Sequence, residues 1–107
     1  MTAFFKVAEL DDLDEGDLYP IEVDGEPVCL ARLQGIIYAF NDNCTHISGA
    51  LNEGELDGTT ITCPWHGARF DIPSGKVLCG PARQDLMTYP VKIEDGSILI
   101  SLPDELS

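Results

Sequence analysis

Cys44-Thr45-His46 stands sixteen residues ahead of Cys63-Pro64-Trp65-His66, a C-x-H pair followed by a C-x-x-H pair. Each pair offers one thiolate and one imidazole, so a chain that uses all four on one centre must bring two separate loops together. Thiolates are soft anionic donors suited to iron–sulfur cores, and a neutral imidazole can replace a thiolate on one of the irons. Cys₂His₂ is also a legitimate tetrahedral zinc set, although zinc fingers usually begin with two closely spaced cysteines and end with a His pair, whereas both loops here are mixed. Zinc stays open as the alternative.

Between and around these loops, short runs rich in Val, Ile, Tyr and Phe alternate with Gly, Pro, Asp and Asn. They predict strands over 18–23, 27–33, 36–40, 59–62, 68–71, 88–93 and 97–102. Asp24-Gly25 and Asp95-Gly96 carry the composition of tight hairpin turns. Helical signal is confined to 8–13, where Leu10 and Leu13 lie three apart before Gly16, enough for one short turn. Many short strands at close spacing predict an all-β sandwich or barrel rather than alternating βαβ units. The middle, 41–81, is richer in Gly, Cys, His and Pro than its flanks and reads as a subdomain of two metal loops carried on strands. A chain of 107 residues has room for one domain.

Nineteen acids against six bases give a net charge of -13. Phosphate binding relies on clustered Lys and Arg, so nucleic acid is excluded as a partner, and anionic membrane surfaces are disfavoured on the same ground. The acids and bases are unevenly spread. Between Cys44 and Arg83 the acids are Glu53, Glu55, Asp57 and Asp71 and the bases are Arg69, Lys76 and Arg83, a net of -1. No run approaches the roughly 20 apolar residues of a spanning helix, and the start lacks an export signal, so a cytoplasmic location is expected. Four cysteines in such a chain are read as metal ligands or free thiols rather than disulfides. Cys29 lies inside a strand run and is expected in the core, and Cys79 is expected as a packed thiol.

The run from Cys44 to Asp71 closely resembles the two cluster-binding loops of the Rieske family, and the flanking strands resemble its β-sandwich base, so the likeness covers nearly the whole chain. It implies an all-β, Rieske-type β-sandwich of antiparallel sheets with a small cluster-binding subdomain of two loops. The single domain would span 1–107, with a base of about 1–41 and 82–107 and the subdomain at about 42–81. It further implies one [2Fe–2S] cluster per chain, with Cys44 and Cys63 on one iron and His46 and His66 on the other through Nδ1. Gly80-Pro81-Ala82 resembles the proline loop that covers the cluster in this family. Two thiolates and two neutral imidazoles bring the oxidised centre to zero charge, which makes adding an electron easier than at an all-cysteine cluster.

High-potential members of the family carry an extra cysteine in each loop, joined as a disulfide; Gly49 and Trp65 occupy those places here. Those members also carry a Ser and a Tyr whose hydroxyls donate to the cluster sulfurs, where this chain has Ala68 and Phe70. A potential toward the low end of the roughly -150 to +300 mV Rieske span is expected.

Both histidines are committed to the cluster, so none is left for a mononuclear iron, and the chain has no G-x-G-x-x-G fingerprint for a nicotinamide cofactor. The expected role is therefore a carrier rather than an enzyme. The resemblance implies a circuit from an NAD(P)H-dependent flavin reductase, through this chain, to a terminal aromatic-ring-hydroxylating dioxygenase, by transient complexes of a monomer. A small Rieske subunit of a nitrite reductase and the ferredoxin of a multicomponent monooxygenase are the alternatives. Trp65, between two of the four ligands, is expected near the cluster as packing or as part of a docking face.

Overall fold

Residues 26–33 are apolar at most positions, the pattern of a strand buried on both faces, and this strand organises the molecule. The computed structural model describes residues 4–42, 51–63, 67–79 and 85–102. Its strands are β1 (Phe4–Glu9), β2 (Leu18–Val23), β3 (Glu26–Leu33), β4 (Ile36–Asn41), β5 (Glu55–Asp57), β6 (Thr60–Thr62), β7 (Arg69–Asp71), β8 (Val77–Cys79), β9 (Thr88–Tyr89), β10 (Val91–Glu94) and β11 (Ser97–Ser101). They form three antiparallel sheets, ordered β1-β11-β10, β2-β3-β4-β9 and β5-β6-β7-β8.

Alternation along β3 divides the core in two. Cys29, Ala31 and Leu33 join Phe40, Ile61, Cys63, Ala68, Phe70 and Ile72 on one side. Val28 and Leu30 join Ile37, Ala39, Ile98 and Ile100 on the other. The β2-β3-β4-β9 sheet is thus a central layer, with the β1-β11-β10 sheet on one face and the β5-β6-β7-β8 sheet on the other. Successive side chains point to opposite faces, so a strand between two layers must be apolar at both parities.

Three two-residue hairpin loops set the registers. Asp24-Gly25, Gln34-Gly35 and Asp95-Gly96 all have positive φ at both positions, the requirement of a type I′ turn, whose twist matches that of the strands it joins. The Glu15 carboxylate adds a clamp by accepting the backbone N–H groups of Gln34 at 2.5 Å and Gly35 at 3.0 Å. These two bonds hold its carboxyl below the usual carboxylate range.

Several elements differ from the sequence expectation. β1 was not expected; Phe4-Phe5-Lys6 does not alternate cleanly, and the strand pairs with β11 through a register shift between Lys6 and Ala8. β5 and β8 have three residues each, too few to show a periodicity, and exist by pairing with β6 and β7. The expected strand over 88–93 is broken at Pro90, which has no N–H to donate. On one side of it β9 pairs with β4, and on the other β10 pairs with β11. The expected helical turn is a 3-10 turn at Leu10–Asp12.

Candidate metal centre

Of the four residues singled out as ligands, Cys63 lies among the described residues; Cys44, His46 and His66 lie outside them, as do Gly49, Trp65 and Gly80-Pro81-Ala82. Cys63 directly follows β6 and is 1% exposed, rooted in the core it shares with Phe70 and Ala68. It is a free thiol. Its backbone N–H donates to the Ala68 carbonyl at 2.7 Å, and the Gly67 N–H donates back to the Cys63 carbonyl at 3.2 Å. These two bonds close the ends of the second ligand loop. Gly67 takes φ +77, a left-handed turn conformation that suits glycine.

The first ligand loop is closed at its ends by a different device. The Leu51 N–H donates to the Asp42 carbonyl at 2.6 Å, and the Asp42 N–H donates to the Pro27 carbonyl at 3.0 Å. The Asp42 carboxylate, on a buried residue, accepts the Asn52 backbone N–H at 2.8 Å and the Asn52 side-chain amide at 2.5 Å. Next to it, Leu51 is fully buried and anchors the chain in the core that also holds Cys63. The segment carrying the resemblance to a proline loop is tied similarly after its end, where the Asp85 carboxylate accepts the Val77 N–H at 3.0 Å and the Leu86 N–H donates to the Gly75 carbonyl at 2.6 Å.

Sequence reasoning missed Asp42, Asn52 and Asp85. Asn41-Asp42-Asn43 shows only as turn composition, and the reach from Asp42 to Asn52 spans ten residues that no local pattern connects.

A cavity is lined by Glu53, Gly54, Glu55, Thr62, Cys63 and Gly67. Beside it β5 approaches β6 closely, since a Cβ on Gly54 would stand 2.1 Å from the Thr62 carbonyl oxygen. A buried cysteine beside a cavity, at the end of a loop closed by backbone bonds, is a donor suited to an iron–sulfur core. Among the described residues no group of three His, Cys, Asp or Glu side chains comes together to hold a metal.

Comparison with known proteins decides which centre this is. The Rieske [2Fe-2S] domain family model matches residues 3–90. The chain belongs to the Rieske [2Fe–2S] family. It is 42% identical over 93 residues to the ferredoxin component of the naphthalene 1,2-dioxygenase/salicylate 5-hydroxylase systems of Ralstonia sp, covering 87% of this chain and 89% of that one. It is 43% identical over 95 residues to the 3-phenylpropionate/cinnamic acid dioxygenase ferredoxin subunit of Escherichia coli K12, covering 87% and 88%. Among solved structures, the Sphingomonas yanoikuyae B1 ferredoxin superposes with a TM-score of 0.88 at 29% identity, over 94% of this chain and all of that one. The ferredoxin of carbazole 1,9a-dioxygenase from Nocardioides aromaticivorans IC177 gives 0.86 at 30% identity, over 92% and 96%.

Membership in this Rieske family brings with it one [2Fe–2S] cluster per chain and the role of an electron carrier. The all-β architecture of antiparallel sheets expected from the resemblance is the one observed. Among the described residues no helix is long and apolar enough to cross a membrane.

Proposed function

We propose that this chain carries single electrons from an NAD(P)H-dependent flavin reductase to a terminal aromatic-ring-hydroxylating dioxygenase, and does no substrate chemistry of its own. The observation that carries the proposal is Cys63, a buried cysteine on a loop closed at its base, in a chain whose relatives are named as ferredoxin components of dioxygenase systems. A solved complex of oxygenase with ferredoxin in carbazole 1,9a-dioxygenase has a ferredoxin-like chain that superposes on this one with a TM-score of 0.86. That architecture supports the same kind of docking here.

Cys44 and Cys63 would hold one iron and His46 and His66 the other, within a cluster-binding unit of about 42–81 set on a base of about 1–41 and 82–107. A bound Rieske cluster supplies one-electron chemistry at these ligands. The chain's own residues do the rest. The core containing Phe70, Ala68 and Ile61 shields Cys63 from water on the protein side, and the bonds at Asp42, Cys63 and Asp85 fix the ends of the three loop segments. Ala68 and Phe70 are fully buried and carry no hydroxyl, so neither can donate to a cluster sulfur, which supports a potential in the lower part of the Rieske span. We further place the protein in the cytoplasm as a monomer that forms transient complexes.

Purified protein is expected to contain two irons and two acid-labile sulfides with a Rieske-type absorption and EPR spectrum, as the ligand set implies. Protein film voltammetry should give a midpoint below about +100 mV within that span. A colourless, zinc-loaded protein would end the electron-carrier reading, and a higher midpoint would end the low-potential one. Reconstitution with the reductase and oxygenase of a naphthalene 1,2-dioxygenase system should make ring hydroxylation depend on this chain.

A further inference from the structure

The near-neutral charge around the cluster conceals an uneven spread. In the β5-β6-β7-β8 sheet, Glu55 pairs with Thr62 and Thr62 pairs with Arg69. Directly paired residues in an antiparallel ladder share a face. The neighbouring row, Leu56, Ile61 and Phe70, packs inward, so the Glu55–Thr62–Arg69 row faces outward, with Glu55 and Arg69 exposed. With strands 4.7–4.9 Å apart, Glu55 and Arg69 stand about 10 Å from each other across Thr62. This row borders Cys63, and Glu53 and Glu55 line the cavity that Cys63 also lines. Glu53, Glu55 and Asp57 lie on the β5 side of the site, whereas on the β7–β8 side the bases Arg69 and Lys76 stand with Asp71 and Asp85, so the β5 side is the more acidic.

The bases of the chain are distributed to match. Lys6 pairs with Glu9, Lys92 pairs with Glu94, and Arg32 donates to the carbonyls of Leu10 and Leu13. Among the described residues, Arg69 and Lys76 are the bases whose side chains make no ion pair or hydrogen bond. Positive charge in the body is thus locally spent, and positive charge beside the cluster site is left available. Asp57 is a further exposed acid of β5, and Asp71 on β7 accepts hydrogen bonds from Ser74.

We propose that the electron-transfer partner is a redox protein with a basic contact edge that seats on the Glu53/Glu55 side of Cys63, and that Arg69 holds that edge off the β7–β8 side. This inference rests on the reading of Cys63 as a cluster ligand. A uniformly acidic protein would attract a basic partner from every direction, whereas opposed charges at the contact select one orientation. The face presents Leu78, 56% exposed beside Arg69 at the register shift of β8, as an apolar contact for a partner already oriented.

The test uses reduced holo-protein and ferric cytochrome c, a basic acceptor. One electron passes, ferric haem becomes ferrous, and no bond or proton moves. Stopped-flow rates are compared for wild type, Glu53→Gln/Glu55→Gln, Arg69→Gln, and Asp11→Asn/Asp14→Asn, which removes the same two charges from the exposed body. At low salt the Glu53/Glu55 variant is expected to slow transfer by about threefold or more, Arg69→Gln to accelerate it by about twofold, and the Asp11/Asp14 variant to change it far less. All four should converge in molar salt, where the screening length is about 3 Å. Equal slowing by the Asp11/Asp14 variant, or slowing by Arg69→Gln, would overturn the docking face. The visible spectrum of each variant, recorded first, separates that failure from failure of the electron-carrier reading, which would show as a wild-type protein without a Rieske spectrum.

Discussion

The Asp42 carboxylate accepts both the backbone N–H and the side-chain amide of Asn52, at 2.8 and 2.5 Å, across the segment that contains Cys44 and His46. With the Leu51 N–H on the Asp42 carbonyl, this pair ties together the two ends of the segment that holds Cys44 and His46. Asp42→Ala leaves two donors of Asn52 without a partner, at about 1–3 kcal/mol for each buried donor left unmade. The variant should unfold at lower denaturant and lose its cluster faster to a chelator, followed by the fall in visible absorbance. Asn52→Ala keeps the backbone donor and should show the smaller effect. Equal cluster lifetimes in wild type and Asp42→Ala would mean that the loop is held by its ligands alone.

Ala68 and Phe70 are both fully buried in the core that holds Cys63. Phe70→Tyr adds one hydroxyl there. If that hydroxyl reaches a cluster sulfur, it stabilises the reduced, more negative state and the midpoint potential rises, by roughly 60 mV for each tenfold gain in a one-electron equilibrium. Ala68→Ser should act in the same direction. Voltammetry of both variants checks this. A potential that does not move, together with a loss of about 1–3 kcal/mol in stability, would show the new hydroxyls buried without a partner instead.

Much of this was legible before the structure, and for identifiable reasons. The proposed ligands Cys44, His46, Cys63 and His66 stand out because so few residue types bind iron, so a C-x-H and C-x-x-H pair is rare by chance. Strands β2, β3, β4 and β11 are long enough to show their apolar pattern, and Asp24-Gly25 and Asp95-Gly96 mark turns by composition. Gln34-Gly35 adopts the same turn with no such signature at its first position; the Glu15 carboxylate nineteen residues earlier helps to hold it. β5 and β8 were not expected, and they exist by pairing with β6 and β7, which is a tertiary fact. The role of Pro90 as the point where the chain changes sheets depends on which strands lie nearby, which is a tertiary fact.

Gly54 and Gly58 lie four residues apart and should respond to alanine in different ways. A Cβ at Gly54 would stand 2.1 Å from the Thr62 carbonyl oxygen and 3.2 Å from that of Leu51, both backbone atoms. Gly54→Ala must push β6 away next to Cys63, and overpacking of this kind costs about 1–3 kcal/mol or more. Gly58 has open space around it but a φ of +63, so Gly58→Ala costs about 1–2 kcal/mol of backbone strain without moving a neighbour. Circular dichroism in the visible region should change in Gly54→Ala and stay that of wild type in Gly58→Ala, while both melt at lower temperature.

Burial pushes the Cys29 thiol far above its ordinary value of 9.0, and the Asp42 carboxylate adds to the rise. In the folded protein this thiol stays neutral through the alkaline range, whereas the unfolded chain ionises it near its ordinary value. The folded state then binds one more proton than the unfolded state, so its stability is fully present below about pH 9 and falls as pH rises beyond that. The slope from this residue is about 1.4 kcal/mol per pH unit. Urea unfolding followed between pH 8 and 10 should show this decline in wild type. Cys29→Ala should be less stable throughout, because it leaves a cavity in a packed core, yet decline less steeply over the same interval. Tyr89, whose phenol is also raised, mainly by burial, adds a similar decline that begins near its ordinary value of 10.0. The difference in slope between wild type and Cys29→Ala is therefore best read below pH 10, and parallel curves there would show that the Cys29 thiol reaches water in the folded state.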